Sequence, residues 1–394
     1  MMHNRRPPRR RLVLSGAALP AALAMSGCGV DLPRPPGLPG LPGLPRRRRP
    51  RDGAVTRCLD GGEQVPEEYE DTVPDGTIVD PAPAKPDNRF LRRGLALSPD
   101  GSLITAHRTD QQAPFETSGG LVVWSTADGA VAHELEERAG GPVDWLADGE
   151  HLVVGHPRYA SVLSIDGEVL THLLGHDLTD DLASMSAVSV SPDGSRLATL
   201  GNDDTVRLFT VDTETCSGDG TLQLEQDDDP SAVLWSADGS RLLIGAARSS
   251  YEGAPDNAPQ WWDADSGERI GPVEGATGRV FAIALLEDDT VMALAEDPSV
   301  VQVIRPGGTV DTGPELTSGW FGDLVAGPGG KVAVTDRADT LLLWDSVRGE
   351  IEELPREETT QWCFSPDGDT LYGLSQAQGV MVWDGSDWAA FETP

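Results

Sequence analysis

Four arginines stand where a chain could make use of positive charge. Arg108, Arg158, Arg248 and Arg337 each follow a short apolar run, at nearly the same point of a pattern that recurs along the sequence. The chain carries 30 Lys and Arg against 64 Asp and Glu, a net charge of −34. In that background a ring of guanidinium groups is a local positive island suited to a carboxylate or an acidic protein loop. Two of the arginines open long polar segments, RTDQQAPFETSG and RSSYEGAPDNAPQ, which bring Phe115 and Tyr251 to the same rim. Trp320 and Trp362 fall near the start of what read as innermost strands, close to the same mouth, where they serve either as contact residues or as core. Arginine and aromatic side chains together are what binding hot spots favour. The competing reading pairs each arginine with a nearby acid such as Asp110 or Asp339, which is worth little at a surface.

Other chemistry is sparser. His107 and His156 hold equivalent places at the ends of neighbouring apolar runs. A metal site would need a third ligand there, for which Asp110 or His176 could serve, and polar rim positions are the simpler reading. The acidic groups Asp180-Asp181, Asp203-Asp204 and Asp227-Asp228-Asp229 lack the alternating oxygen spacing of a calcium loop and read as solvated turns. A GxSxG elbow, a HExxH helix, a P-loop and a GxGxxG loop are all missing from the sequence. Neither a metal nor a cofactor is expected.

The elements that must position these residues repeat. An apolar strand, a tight turn, a second strand, a polar turn, a third strand and a fourth recur from about residue 88, most fully in AVSVSPDGSRLATLGNDDTVRLFTVD at 187–212. The first turn recurs at Ser98, Leu146, Ser191, Ser236, Leu286, Gly327 and Ser365, with starts 38 to 50 residues apart. The matching third strands end at Trp124, Ile165, Phe209, Trp262-Asp263, Ile304, Trp344-Asp345 and Trp383-Asp384. Units of this length and four-strand pattern stack radially, since no four-stranded sheet buries both faces alone. The expected fold is all-β, a seven-bladed β-propeller. Trp145, Trp235 and Phe364 close innermost strands and are expected in its core, and Trp388 to Phe391 as its last outer strand.

On the SPDG turns, the DDTVRLF segment and the three Trp-Asp pairs, residues 88–394 resemble the WD-repeat family. The resemblance implies a WD40-like propeller. It departs from the family pattern in having the Gly-His dipeptide in place only at Gly175-His176, since Gly155-His156 falls elsewhere in its blade, with Asp203 at the place of the family's buried turn aspartate and Phe209 at that of its tryptophan. The family's His-Ser/Thr-Asp-Trp hydrogen-bond network is therefore expected to be mostly absent.

Residues 1–27 read as a signal peptide: basic MMHNRRPPRRR, apolar LVLSGAALPAALAM, then small residues. Met25-Ser26-Gly27-Cys28 resembles the lipobox of bacterial lipoproteins, which implies cleavage before Cys28 and a lipid on its sulfur. Arg9-Arg10-Arg11-Leu12-Val13 also resembles a twin-arginine export signal. Residues 28–51 form a linker rich in Pro, Gly and Arg that can build neither helix nor sheet and reads as a stalk. An N-terminal extension follows at 52–87, in which Thr77-Ile78-Val79 is a candidate closing strand. With Cys28 acylated, Cys58, Cys216 and Cys363 remain. Cys363 sits within a strand and reads as core, leaving Cys58 and Cys216 as the exposed pair.

Residues 1–51 hold eleven arginines and one acid, so residues 52–394 carry 19 basic against 63 acidic residues, a charge of −44. A body of that sign repels phosphate backbones, and nucleic acid is excluded as a partner. The expected protein is a monomer, anchored by lipid to the outer side of a cell membrane. It serves as an interaction scaffold or sensor for an envelope protein. A receptor for a small acidic or sugar-like ligand and a lactonase-like enzyme are the alternatives.

Overall fold

The computed structural model describes residues 56–58, 94–109, 118–135, 141–156, 159–176, 185–211, 216–224, 230–247, 258–296, 299–316, 323–335, 340–355, 359–375 and 378–391. They form 29 strands, in order, and one 3-10 turn at Pro328–Gly330. A first strand, β1 (Thr56–Cys58), precedes the propeller. Blade 1 is β2 to β5 (Leu95–Leu97, Leu103–Thr109, Ser118–Ser125, Val131–Leu135) and blade 2 is β6 to β9 (Val143–Trp145, His151–Gly155, Ala160–Ser164, Val169–Leu173). Blade 3 is β10 to β13 (Met185–Val190, Arg196–Gly201, Thr205–Val211, Cys216–Gln223) and blade 4 is β14 to β17 (Pro230–Trp235, Arg241–Ala247, Gln260–Asp263, Arg269–Pro272). Blade 5 is β18 to β21 (Arg279–Leu285, Val291–Glu296, Val300–Ile304, Val310–Glu315) and blade 6 is β22 to β25 (Leu324–Ala326, Lys331–Thr335, Leu341–Asp345, Glu350–Leu354). Blade 7 is β26 to β29 (Thr359–Phe364, Leu371–Ser375, Gly379–Trp383, Trp388–Ala390).

Each blade pairs its four strands in chain order, every pair antiparallel. Its strands are named a to d from the innermost outward. An antiparallel meander sends successive connections to alternate faces, so the a–b and c–d turns share one face and the b–c and d–a connections the other. The expected seven-bladed all-β propeller is the fold observed.

Side chains alternate across each strand, and here the alternation assigns them to different neighbours. In blade 1, Leu95, Ile104, Ala106, Val122 and Trp124 pack with Tyr372 and Val380 of blade 7. Ala96, Leu121 and Val123 turn the other way, onto Val143, Trp145 and Leu152 of blade 2. The buried apolar residues form seven such clusters, one for each pair of adjoining blades, and together they close the ring. Composition follows depth. Strand c of blade 5, VVQVI, is buried along its length, whereas strand d of blade 6, EIEEL, is exposed save for its last residue. The expected core residues Trp145, Trp235 and Phe364 are all buried. Trp145 and Trp235 also stitch inner strands together, each donating its indole N–H to a carbonyl of the preceding blade, Ala96 at 3.1 Å and Ser189 at 2.9 Å.

The a–b turns explain the recurrent SPDG. In blade 3 the Ser191 hydroxyl donates to Asp193 at 2.7 Å and accepts from the Arg196 N–H, while Asp193 also accepts the Ser195 N–H. The last turn position needs a left-handed backbone, which Gly194 takes at φ 71° and Asp289 takes in blade 5 at φ 62°. These hydrogen bonds hold the turn carboxylates below the usual range, Asp238 down to about 2. The Trp-Asp aspartates do the same for c–d turns: Asp263 accepts the Ser266 N–H at 2.8 Å and Asp345 the Arg348 N–H at 2.9 Å.

The family network, expected to be mostly absent, is held together in blade 3. His176 Nδ1 lies 3.0 Å from Asp203, its Nε2 2.8 Å from the Thr199 hydroxyl, and Thr205 donates to Asp203 at 2.8 Å. Phe209, buried at the tryptophan place, contributes packing without an indole N–H.

Blade 7 is built wholly from the C-terminal stretch, with Trp388–Ala390 as its outer strand, so the ring closes by packing of blades 7 and 1. Thr77-Ile78-Val79 lies outside the described residues. The strand contributed from the N-terminal extension is instead β1, which pairs in parallel with β9 at the outer edge of blade 2, Cys58 beside Leu173.

Candidate functional site

The second strands of blades 1, 2, 4 and 6 end at Thr109, Gly155, Ala247 and Thr335, all on the b–c face. Arg108 lies one residue before the end of its strand; Arg158, Arg248 and Arg337, with Asp110, Phe115, Tyr251 and Trp320, lie outside the described residues, as does Cys28. Trp362, expected near the mouth, is only 5% exposed in strand a of blade 7, and packs with Phe364, Leu371 and Leu341. It is core because alternation along β26 turns its side chain toward blade 6. A described cation that the sequence reading missed is Arg279, the first residue of strand a in blade 5. It is 8% exposed, its guanidinium 5.0 Å from the centre of the Phe281 ring. A residue just after the connection into an innermost strand stands at the same face as the b–c ends, and that placement was its signal.

The two histidines noted as equivalent are not rim residues. His107 and His156 are 8% and 2% exposed, and they belong to a buried polar group with Tyr159, Ser161 and His172. The Ser161 hydroxyl lies 3.0 Å from His156 Nε2 and 2.9 Å from His172 Nδ1, so one hydroxyl donates to one ring and accepts from the other. Ser161 and His172 are cross-strand partners on β8 and β9, which brings the serine and that imidazole together. Tyr159 stacks on His156 at 4.2 Å and meets His172 edge-on at 5.2 Å. The His107 ring abuts Gly94, where an added Cβ would come within 3.0 Å of it.

Burial sets the electrostatics of this group. Desolvation pushes His107 down to about 4, against a small opposing pull from the Gly141 backbone. His156 falls to about 3, through desolvation first and then through His172 and His107 nearby. Both rings are therefore neutral at pH 7. A serine between two imidazoles has the composition of a nucleophile and base, yet Ser161 is 1% exposed inside a sheet, where no substrate carbonyl can reach it. The group orders the junction of strands b, c and d in blade 2. His176, suggested as a third metal ligand, is committed to Asp203 and Thr199. Among the described residues no three His, Cys, Asp or Glu side chains are grouped so as to hold a metal ion.

Comparison with known proteins agrees with this architecture. The family model described as "WD domain, G-beta repeat" matches residues 167–210, the outer strand of blade 2 and three strands of blade 3, including His176 and Asp203. A search of curated proteins finds no match. Among solved structures 1449 chains match. One, from a crystal structure of the mitotic checkpoint complex, is 19% identical with a TM-score of 0.57, covering 84% of this chain and 99% of that one. At that identity the likeness is one of fold. One matched WD repeat, at the best-formed blade of a closed ring of seven, makes this chain a seven-bladed β-propeller with a WD repeat in it.

Proposed function

We propose that this WD-repeat propeller is an interaction scaffold, exported and held at the outer side of the cell membrane by a lipid on Cys28, which presents its b–c face to an envelope protein. WD-repeat propellers are commonly protein-interaction scaffolds, and the observation that carries the reading here is topological. The b strands that lead to Arg108, Arg158, Arg248 and Arg337 all end on one face of a body whose charge is −44. Against such a background, guanidinium groups on that face favour an acidic loop while the acidic body repels the rest of an acidic protein, so charge selects both partner and face.

Cross-linking in intact cells followed by mass spectrometry tests this, comparing native protein with a variant in which all four arginines are alanine. Capture of one envelope protein by the native form, lost in a variant of unchanged thermal stability, supports the reading. Equal capture by both, or none, sinks it and turns attention to small acidic ligands, which would raise the melting temperature in a saturable way. For the anchor, Cys28→Ser should move the protein from the membrane to the soluble fraction, with loss of the lipid mass. Retention of the variant on the membrane would count against it.

A further inference from the structure

We propose that Cys58 and Cys216 form a disulfide that fastens the N-terminal extension to the outer strand of blade 3, across the boundary between blades 2 and 3. The two cysteines are 158 positions apart in sequence, and the fold brings their strands together. β1 ends at Cys58 and runs parallel to β9, level with Leu173 at the end of that strand. β13 begins at Cys216. Although β1 belongs to the sheet of blade 2, its backbone comes within 8 Å of β13, Cα to Cα. Disulfide-linked residues stand ~4.4–6.8 Å apart, Cα to Cα, which strands this close allow.

The packing of neighbouring outer strands says which ends meet. Between blades 1 and 2, a Cβ on Gly167, just before β9 begins, would lie 3.2 Å from Leu135, the last residue of β5. Between blades 4 and 5, a Cβ on Gly275, shortly after β17 ends, would lie 2.5 Å from Val310, the first residue of β21. The end of one outer strand thus abuts the start of the next. At the boundary of blades 2 and 3 the same relation joins the end of β9, with Cys58 alongside, to the start of β13, which is Cys216. The remaining thiol of the propeller does not compete, since Cys363 is in strand a of blade 7 and burial pushes it up to about 12. A three-residue strand holds poorly by itself, and a covalent link supplies what three residue pairs cannot.

The chemistry needs an oxidant, here a small-molecule or protein disulfide. One cysteine thiolate attacks the oxidant's disulfide and displaces one thiolate; the second cysteine, as thiolate, then attacks the mixed disulfide and displaces the other. Two protein thiols lose two protons and two electrons, and the oxidant is reduced to two thiols. In the cell the bond rests on the export reading above, because disulfides persist in oxidising compartments.

Reduced, purified full-length protein treated with oxidised glutathione and digested without reductant should give one dominant linked peptide, joining Cys58 to Cys216. Cys216 should then react with an alkylating agent at least about tenfold more slowly than in a Cys58→Ser variant. Glutathione adducts on both residues, unchanged alkylation, or linkage to Cys28 or Cys363 would overturn the pairing. The same digest of protein recovered from cells separates the two readings: a bond formed with glutathione and missing in cells upholds the pairing and counts against export.

Discussion

His107 and His156 show how burial turns an ordinary side chain into a pH-dependent liability. Folded, both stay neutral, with values near 4 and 3; unfolded, each binds a proton near pH 6.5. Above pH 6.5 neither state takes up these protons and stability is level. As pH falls from 6.5 toward 4 the unfolded chain gains protons that the folded one refuses, so stability is lost at up to about 1.4 kcal/mol per pH unit for each ring. Urea midpoints between pH 7.5 and 4.5 should show this slope, and His156→Gln should flatten it; an unchanged slope would show that His156 is charged when folded. Asp203 is a second case. It ties His176 to Thr205, and Asp203→Ala should cost about 2 kcal/mol in denaturant unfolding by leaving buried polar atoms without partners. That residue was legible from the family pattern. The buried histidine group was half legible: the equivalence of His107 and His156 could be seen, but His172 and Ser161 meet through cross-strand register, which one strand's sequence does not carry.

The a–b turns repeat a sequence, though their tolerance differs with what surrounds them. Gly149 and Gly194 both adopt left-handed backbones, at φ 65° and 71°. An added Cβ meets nothing within 4 Å at Gly149, but at Gly194 it would sit 2.2 Å from the Ala147 Cβ in the preceding blade's turn. Gly149→Ala should therefore cost about 1 kcal/mol, from backbone strain alone, and Gly194→Ala about 3 kcal/mol, in thermal or urea unfolding. Equal losses would mean that the turns do not touch. Turns and strands were readable because SPDG and alternating apolar residues are local signals. β1 was not, since TRC has neither length nor alternation and becomes a strand only because β9 offers it an open edge. Trp362 was ambiguous for a related reason. Its position in the strand could be read, but which neighbour it faces depends on blade packing.

Seven clusters of comparable make-up hold a ring within residues 52–394, which together carry a charge of −44. Like charges wrapped around one body repel, and salt screens them within about 10 Å at 0.1 M. Raising sodium chloride from 0.05 to 0.5 M should raise the melting temperature by about 5 °C, where a charge-balanced protein of this size would barely respond. A fall would show that ion pairs such as Arg241 with Asp289 outweigh the repulsion. The ring and its blade count were legible because every blade restates the same punctuation; the way it closes was not, since nothing in the order of strands says whether the last blade borrows from the first. Because each blade is one unbroken stretch, the polypeptide has no privileged starting point. A circular permutant opened between Val273 and Gly278, with residue 394 joined to residue 51 through a flexible linker, should fold to the same strand content by circular dichroism. The order in which blades leave the ribosome would change while the finished ring would not, so any vectorial assembly during synthesis could be rescheduled without redesigning a single interface.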